Sequence, residues 1–130
     1  MPKLGLENGQ LQPCPSSPNC VCSQVEDKAH FIEPIQVAAS AGEAKAKLLQ
    51  VLNQTKRVSV PESEDNYIRA EFTSLLFRFV DDVEFLITQV EPNETLIHVR
   101  SASRVGYSDF GVNRKRIEEL RCELSESVSC

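Results

Sequence analysis

Between positions 100 and 116 the chain carries Arg100, Arg104, Arg114, Lys115 and Arg116 against one acid, Asp109. The whole chain has a formal net charge of -5, so this segment is a local cationic exception. Guanidinium forks grip carboxylate, sulfate or phosphate oxygens in pairs. The hydroxyls of Ser101 and Ser103 and the amide of Asn113 add neutral donors, and Gly106 and Gly111 let backbone approach a ligand closely. Where such a segment joins a strand to a helix, the free N–H groups of the first helical turn complete an anion site. The ligand-binding set read this way is Arg100, Ser101, Ser103, Arg104, Asn113, Arg114 and Arg116. The same arginines could instead pair with Asp81, Asp82, Glu84 and Asp109 and hold the loop in place. A mixed arrangement is expected, with Arg100 and Arg104 as structural partners of Asp81 or Asp82 while Arg114 and Arg116 face a ligand. The glycine-rich phosphate motif ending in Gly-Lys-Ser/Thr does not occur.

A second chemistry lies in the acids. Asp81, Asp82 and Glu84, with Asp109, offer hard oxygen donors for a divalent cation such as calcium, although no EF-hand loop is present. With His98 the same carboxylates suggest a metal-dependent hydrolase. Strand alternation limits both ideas. It places Asp81 on one face with Phe77, Phe79, Val83, Phe85 and Ile87, and Arg78, Val80, Asp82 and Glu84 on the other, so one face cannot supply both aspartates without a bulge. Among apolar neighbours Asp81 must meet an arginine or turn outward on a bulge. The outward charges, with Arg100 facing Asp82 or Glu84, read as a solvated lattice of cross-strand pairs worth roughly 0.2–1 kcal/mol each.

The third group is Cys14, Cys20 and Cys22, with His30 further on. Three thiolates and an imidazole suit zinc, yet the paired C-x-x-C turns of structural zinc sites are absent. A Cys14–Cys20 disulfide is sterically possible but would not persist in a reducing cytosol, so free thiols are expected. Five cysteines are an odd number, leaving at least one thiol free or paired outside the chain. Neither His30 nor His98 lies in a serine or cysteine nucleophile signature, and G-x-S-x-G does not occur, so no nucleophilic enzyme is indicated.

These groups need elements to position them. Residues 1–29, with Pro13, Pro15 and Pro18, lack helical or strand periodicity and read as an extended arm whose order comes from docking on the body. Residues 30–130 read as one domain. "HFIEPIQV" gives a short strand edged by Pro34. Ser40 and Glu43 form a capping box ahead of a helix over 41–54, with Ala44, Leu48, Val51 and Leu52 on its apolar face. "RVSV", "NYIRAEFT", "FRFVDDVEFLITQV" and "TLIHVRSAS" read as four strands with turns at 61–66 and 92–93, and short connections imply antiparallel pairing. A last helix spans 113–126, with Ile117, Leu120 and Leu124 at helical spacing. The fold class that follows is α+β: a two-layer domain with a largely antiparallel sheet of four to five strands and two helices on one face.

At 130 residues, with 41% hydrophobic and 25% charged residues, the chain has enough for one core and none of the bias of disordered or fibrous proteins. The acidic balance argues against nucleic-acid binding and against attraction to anionic lipid. No window approaches a membrane-spanning length, so no membrane insertion is expected. The residues from Met1 to Cys14 do not read as a signal peptide, giving a cytoplasmic expectation.

"CPSSPNCVCSQ", "AEFTSLLFRFVDDVEF" and "RSASRVGYSDFGVNRKRIEEL" together resemble the family called domain of unknown function 1499, with bacterial, cyanobacterial and plastid members. The resemblance covers Cys14 to Leu124. It implies no activity. Its recurring positions fall on Cys14, Pro15, Ser17, Pro18, Asn19 and Cys20, on Asp81, Asp82 and Glu84, and on Arg100, Ser101, Ser103, Arg104, Gly106, Asp109, Gly111, Asn113 and Arg116. Cys22 departs from the family pattern, which weakens a three-thiolate site, and many relatives carry an export signal or membrane anchor. Three functional readings follow: a non-enzymatic binding module for a small anion or an acidic partner segment, a calcium-like divalent-cation binder, and an assembly factor whose arm docks on the body.

Overall fold

A computed structural model of the chain describes residues 4–105 and 111–125. Along the chain run β1 (Leu6–Glu7), β2 (Gln10–Leu11), β3 (Cys20–Cys22), β4 (Ile35–Val37), α1 (Ala41–Gln54), β5 (Val58–Ser63), β6 (Tyr67–Thr73), β7 (Val80–Glu91), β8 (Glu94–Ser103) and α2 (Val112–Ser125). The class is α+β. The main sheet has six strands, in the order β3-β8-β7-β6-β5, with β4 also pairing β8. Every strand pairing in it is antiparallel. Strands β3 and β4 lie end to end along one edge of β8, β3 against Arg100–Ala102 and β4 against Thr95–Ile97.

Local chemistry accounts for most boundaries. Ser40 Oγ accepts from Glu43 N, and the Glu43 carboxylate accepts from Ser40 N, closing the capping box that starts α1. Pro61 does not begin a turn as the sequence suggested. It sits within β5, an edge strand, at the register shift between Ser59 and Glu62, where a missing N–H is harmless. Strand β7 starts at Val80, not before Phe77. Ser74 N donates to Phe79 O and Phe79 N to Ser74 Oγ, closing a tip in which Arg78 has φ 58°. Phe77 and Phe79 are therefore exposed and take no part in the inward face assigned to them.

The helices cover one sheet face. Ala44, Leu48 and Leu52 from α1 and Ile117, Leu120 and Leu124 from α2 pack with Val83, Phe85, Ile87, Ile97 and Val99. The other face is covered by the N-terminal segment, which contributes β1, β2 and β3. Leu11 packs there with Cys22, Tyr67 and Leu86, joined by Cys14 and Val25. This covering overturns the solvated lattice: Asp82, Glu84 and Arg100 are all buried. The segment has no period of its own because its order is tertiary.

Two links hold the segment down. Cys14 and Cys20 are joined by a disulfide with Cα atoms 5.7 Å apart, correcting the expectation of free thiols, while Cys22 is free and buried. The chain folds back between the prolines and β3, bringing the two cysteines together. The second link is His30, whose Nδ1 meets the Asp27 carboxylate and whose Nε2 meets the Ser17 carbonyl at 2.9 Å. Both partners are acceptors, so only the imidazolium satisfies both, and the Asp27 hydrogen bond raises its pKa above the ordinary 6.5.

Two predictions follow from these links. Replacing Cys14 and Cys20 together by serine reopens a loop of sequence separation 6. It should lower unfolding free energy by about 2 kcal/mol, as read from denaturant melts under non-reducing conditions. For His30 the folded pKa is raised, so its contribution is complete below 6.5 and disappears as pH climbs through the folded value. The difference in unfolding midpoint between the native chain and His30→Gln should therefore shrink from about pH 6 to about pH 9; a difference that widens over that range refutes the assignment.

Candidate functional site

Strand β7 carries acids towards both layers, and the ladder through them is regular. Asp81 opposes Ser103, Asp82 opposes Ala102 and Glu84 opposes Arg100. No bulge turns Asp81 outward. On the helix side it meets Arg116 Nη2 at 2.8 Å, and the same guanidinium lies over the Phe72 ring, 4.8 Å from its centroid. Arg116 Nη1 also donates to Ser101 Oγ at 3.2 Å and to Asn113 Oδ1 at 2.9 Å. Ser101 Oγ donates to Asn113 Oδ1, and Asn113 Nδ2 donates to Asn19 O and Ser103 Oγ. Ser101 and Asn113 are fully buried, so this is a knot tying α2 to β8 and to the arm.

On the arm side, Asp82 accepts from Arg104 Nε at 2.8 Å, Arg104 Nη2 at 2.9 Å and Arg69 Nη1 at 3.1 Å. Glu71 bridges the same two arginines, and its hydrogen bond from Arg69 holds its pKa below the ordinary carboxylate value. The Asp82 hydrogen bond raises the Arg104 pKa. Deeper in, Glu84 accepts from Tyr67 Oη at 2.6 Å, Gly5 N at 2.8 Å and Arg100 Nη1 at 3.4 Å. Burial, reinforced by Glu84, pushes the Tyr67 phenol strongly up. Burial likewise raises the Cys22 thiol and lowers His98.

The predicted site residues thus divide. Ser101, Asn113 and Arg116 form the buried knot. Arg114 donates to the carbonyls of Phe31 and Ala29. The mixed arrangement read from sequence holds for Arg104 with Asp82, but Arg100 pairs Glu84 and Arg116 pairs Asp81. The reason is parity: residue 100 shares a face with 82 and 84, whereas 116 reaches the sheet from the helix layer. Gly106 and Asp109 lie outside the described residues. For the cation reading, Asp81 is separated from Asp82 and Glu84 by the sheet, and each carboxylate has an arginine. Among the described residues no group of three or more His, Cys, Asp or Glu is placed to hold a metal ion.

Arg100, Ser103 and Arg104 come together with Cys14, Ser17 and Asn19 around a cleft of about 590 Å³, between the arm and the end of β8. Arg100 Nη2 donates to Pro13 O at 3.3 Å, but Arg100 Nε is buried without a hydrogen-bond partner. Arg104 is partly exposed, at 39% of its side chain. Among the described residues no acid lines this cleft. Tyr67, Arg69 and Glu71 were missed in the sequence; alternation along "YIRAEFT", paired antiparallel with β7, would have put all three beside Asp82 and Glu84. The Ser23–His98 contact is structural. Ser23 Oγ lies 3.1 Å from His98 Nδ1 and accepts from Val99 N at 2.9 Å, which stitches the segment after β3 to β8.

Comparison with known proteins gives one family. Residues 10–124 match the model described as protein of unknown function (DUF1499). No curated protein matches the chain. Among solved structures it is similar to one described as a START superfamily protein from Mycobacterium smegmatis, at 14% identity and a TM-score of 0.44, over 74% of this chain and 94% of that one.

The two arginine pairs differ in redundancy, and stability should show it. Arg116→Ala strips the buried Asp81 of its guanidinium and should cost about 3–5 kcal/mol. Arg104→Ala leaves Arg69 on Asp82 and removes a partly solvated group, so it should cost less than half as much. Urea melts of the two variants decide this, and equal losses would show that Asp81 does not depend on Arg116.

Proposed function

The chain belongs to the DUF1499 family, and from that premise we propose that it is a non-enzymatic binding module. It holds a small anion, or the acidic segment of a partner, in the cleft between the N-terminal arm and the end of β8. The observation that carries this reading is Arg100 Nε, a buried donor of a charged group without a partner, on a side chain that lines a cleft where no acid stands among the described residues. A buried donor left unsatisfied costs about 1–3 kcal/mol, and an anionic oxygen relieves that cost with a charge-assisted hydrogen bond. Arg104, Ser17, Ser103 and Asn19 line the same volume, with Ser17 Oγ donating to Asn19 Oδ1 and Arg104 Nε and Nη2 held by Asp82 and Glu71. The set is narrower than the one read from sequence, because Ser101, Asn113, Arg114 and Arg116 serve the framework.

The expected cytoplasmic setting fits this site poorly. The disulfide forming one wall persists where thiols are not kept reduced, which favours an oxidising compartment.

Titration with sulfate, inorganic phosphate and acetate, followed by nitrogen–proton NMR including arginine side-chain signals, tests the proposal. The Arg100 Nε–H resonance and the amides of Asn19, Ser103 and Arg104 should move together and saturate. Arg104→Ala should raise the dissociation constant about tenfold, the loss of one charge-assisted pair. Uniform drift of all signals with ionic strength, or an unmoved Arg100 resonance, would overturn it.

A further inference from the structure

We propose that the end of the domain carrying residues 74–79 is a peripheral docking surface for an anionic lipid bilayer. Eight large hydrophobic side chains are exposed among the described residues, and six stand at this end: Leu75, Leu76, Phe77, Phe79, Val105 and Val112. Leu76, at 79%, is the most exposed of them. The other two, Leu6 and Val90, lie on the arm hairpin and at the far end of β7. The hydrogen bond from Arg104 N to Val80 O places Val105 beside the base of the tip, and Val112 shares a cavity with Ser74, Lys56 and Lys115. Scattered single exposures are ordinary, but a gathering of this kind marks a contact surface.

The shape and charge select the occupant. Residues 74–79 are exposed in an unbroken run, closed at the base by the Ser74–Phe79 bonds, with the Phe77 and Phe79 rings stacked at 5.6 Å. This is a protrusion, already ordered, and it offers no groove for a peptide. A bilayer takes such a tip at the boundary between headgroups and acyl chains. Around it stand Lys56, Arg57, Arg78 and Lys115, none of which pairs with a carboxylate among the described residues. Arg57 and Arg78 line one hollow at the tip, and Lys56 and Lys115 the next. Glu119 and Glu123 line the Lys56–Lys115 hollow too, one and two turns further along α2 from its tip end, so the basic groups stand at the tip side of that hollow and the acids at its far side. Apolar points within a cationic collar complement anionic headgroups. The net charge of -5 on the whole chain opposes long-range attraction, as the sequence indicated, so the contact depends on the basic end meeting the surface within a Debye length while the acidic remainder points away. The contact is interfacial: no helix among the described residues is long and apolar enough to cross a membrane. It stands on different residues from the anion cleft.

The test is co-sedimentation of the full chain with vesicles of phosphatidylglycerol and phosphatidylcholine, against vesicles of phosphatidylcholine alone. Binding should require the anionic lipid and weaken as salt is raised. The double change Leu76→Ser with Phe77→Ser, and separately Lys56→Glu with Lys115→Glu, should each lower partitioning about tenfold or more. All four positions are exposed, so circular dichroism and the unfolding midpoint should stay unchanged in both variants. Equal binding to both vesicle types, no binding to either, or undiminished binding by the serine variant would overturn the proposal. So would a concentration-dependent dimer abolished by the same serine changes, which would assign the tip to a second copy of the chain.

Discussion

Strand β7 presents carboxylates to both of its faces at positions 81, 82 and 84, and the fold buries all three. An unpaired buried carboxylate is too costly to keep, so each must be given a donor set before either layer can close. Arg116 reaches Asp81 from α2, Arg104 and Arg69 reach Asp82 from the neighbouring strands, and Arg100 with Tyr67 and Gly5 N reaches Glu84. The position of α2 and the register of three strands are therefore fixed by the same requirement. A one-residue slip in β8 would move Arg100 to the helix side and strand Glu84.

That requirement also explains the N-terminal segment. A face bearing Glu84, Arg100 and Asp82 beside Leu86, Tyr67 and Cys22 is too polar for a helix stripe and too apolar for open water. Extended backbone suits it, because free carbonyls and N–H groups can bond the charges while a few side chains cover the apolar part. Pro13 O accepts from Arg100, Gly5 N donates to Glu84 and Gln12 O receives the Cys22 thiol, while Leu11 packs between Tyr67 and Leu86. The disulfide and His30 then tether this cover to the edge of the sheet.

What could be read in the sequence follows from the range of each signal. Helix α1 was legible because Ser40 and Glu43 interact within one turn, and α2 because Ile117, Leu120 and Leu124 repeat within one face. The need of Asp81 for an arginine was legible from its place between apolar neighbours. Which arginine it takes was not, since Arg116 reaches it from the other layer. The burial of Glu84 and Arg100 was hidden for the same reason: the segment that covers them has no periodicity and reaches them from 79 and 87 positions away in the chain. Phe77 and Phe79 misled because they keep strand alternation through a segment that closes on itself at Ser74 and Phe79.

The framework leaves few groups unused, and those it leaves are not scattered. The knot of Ser101, Asn113 and Arg116 and the Asp82–Arg104–Glu71 bridge satisfy nearly every buried polar atom near β8. Among the described residues the one buried side-chain nitrogen or oxygen without a partner is Arg100 Nε. Its side chain lines a cleft at the C-terminal end of β8, the same end of the sheet from which the apolar tip projects between β6 and β7. Neither feature adds to stability, and sites that break the local rules of a fold without a gain in stability are where function is sought. The two coincide at one end of the sheet, while the opposite end is closed by the short turn between β7 and β8.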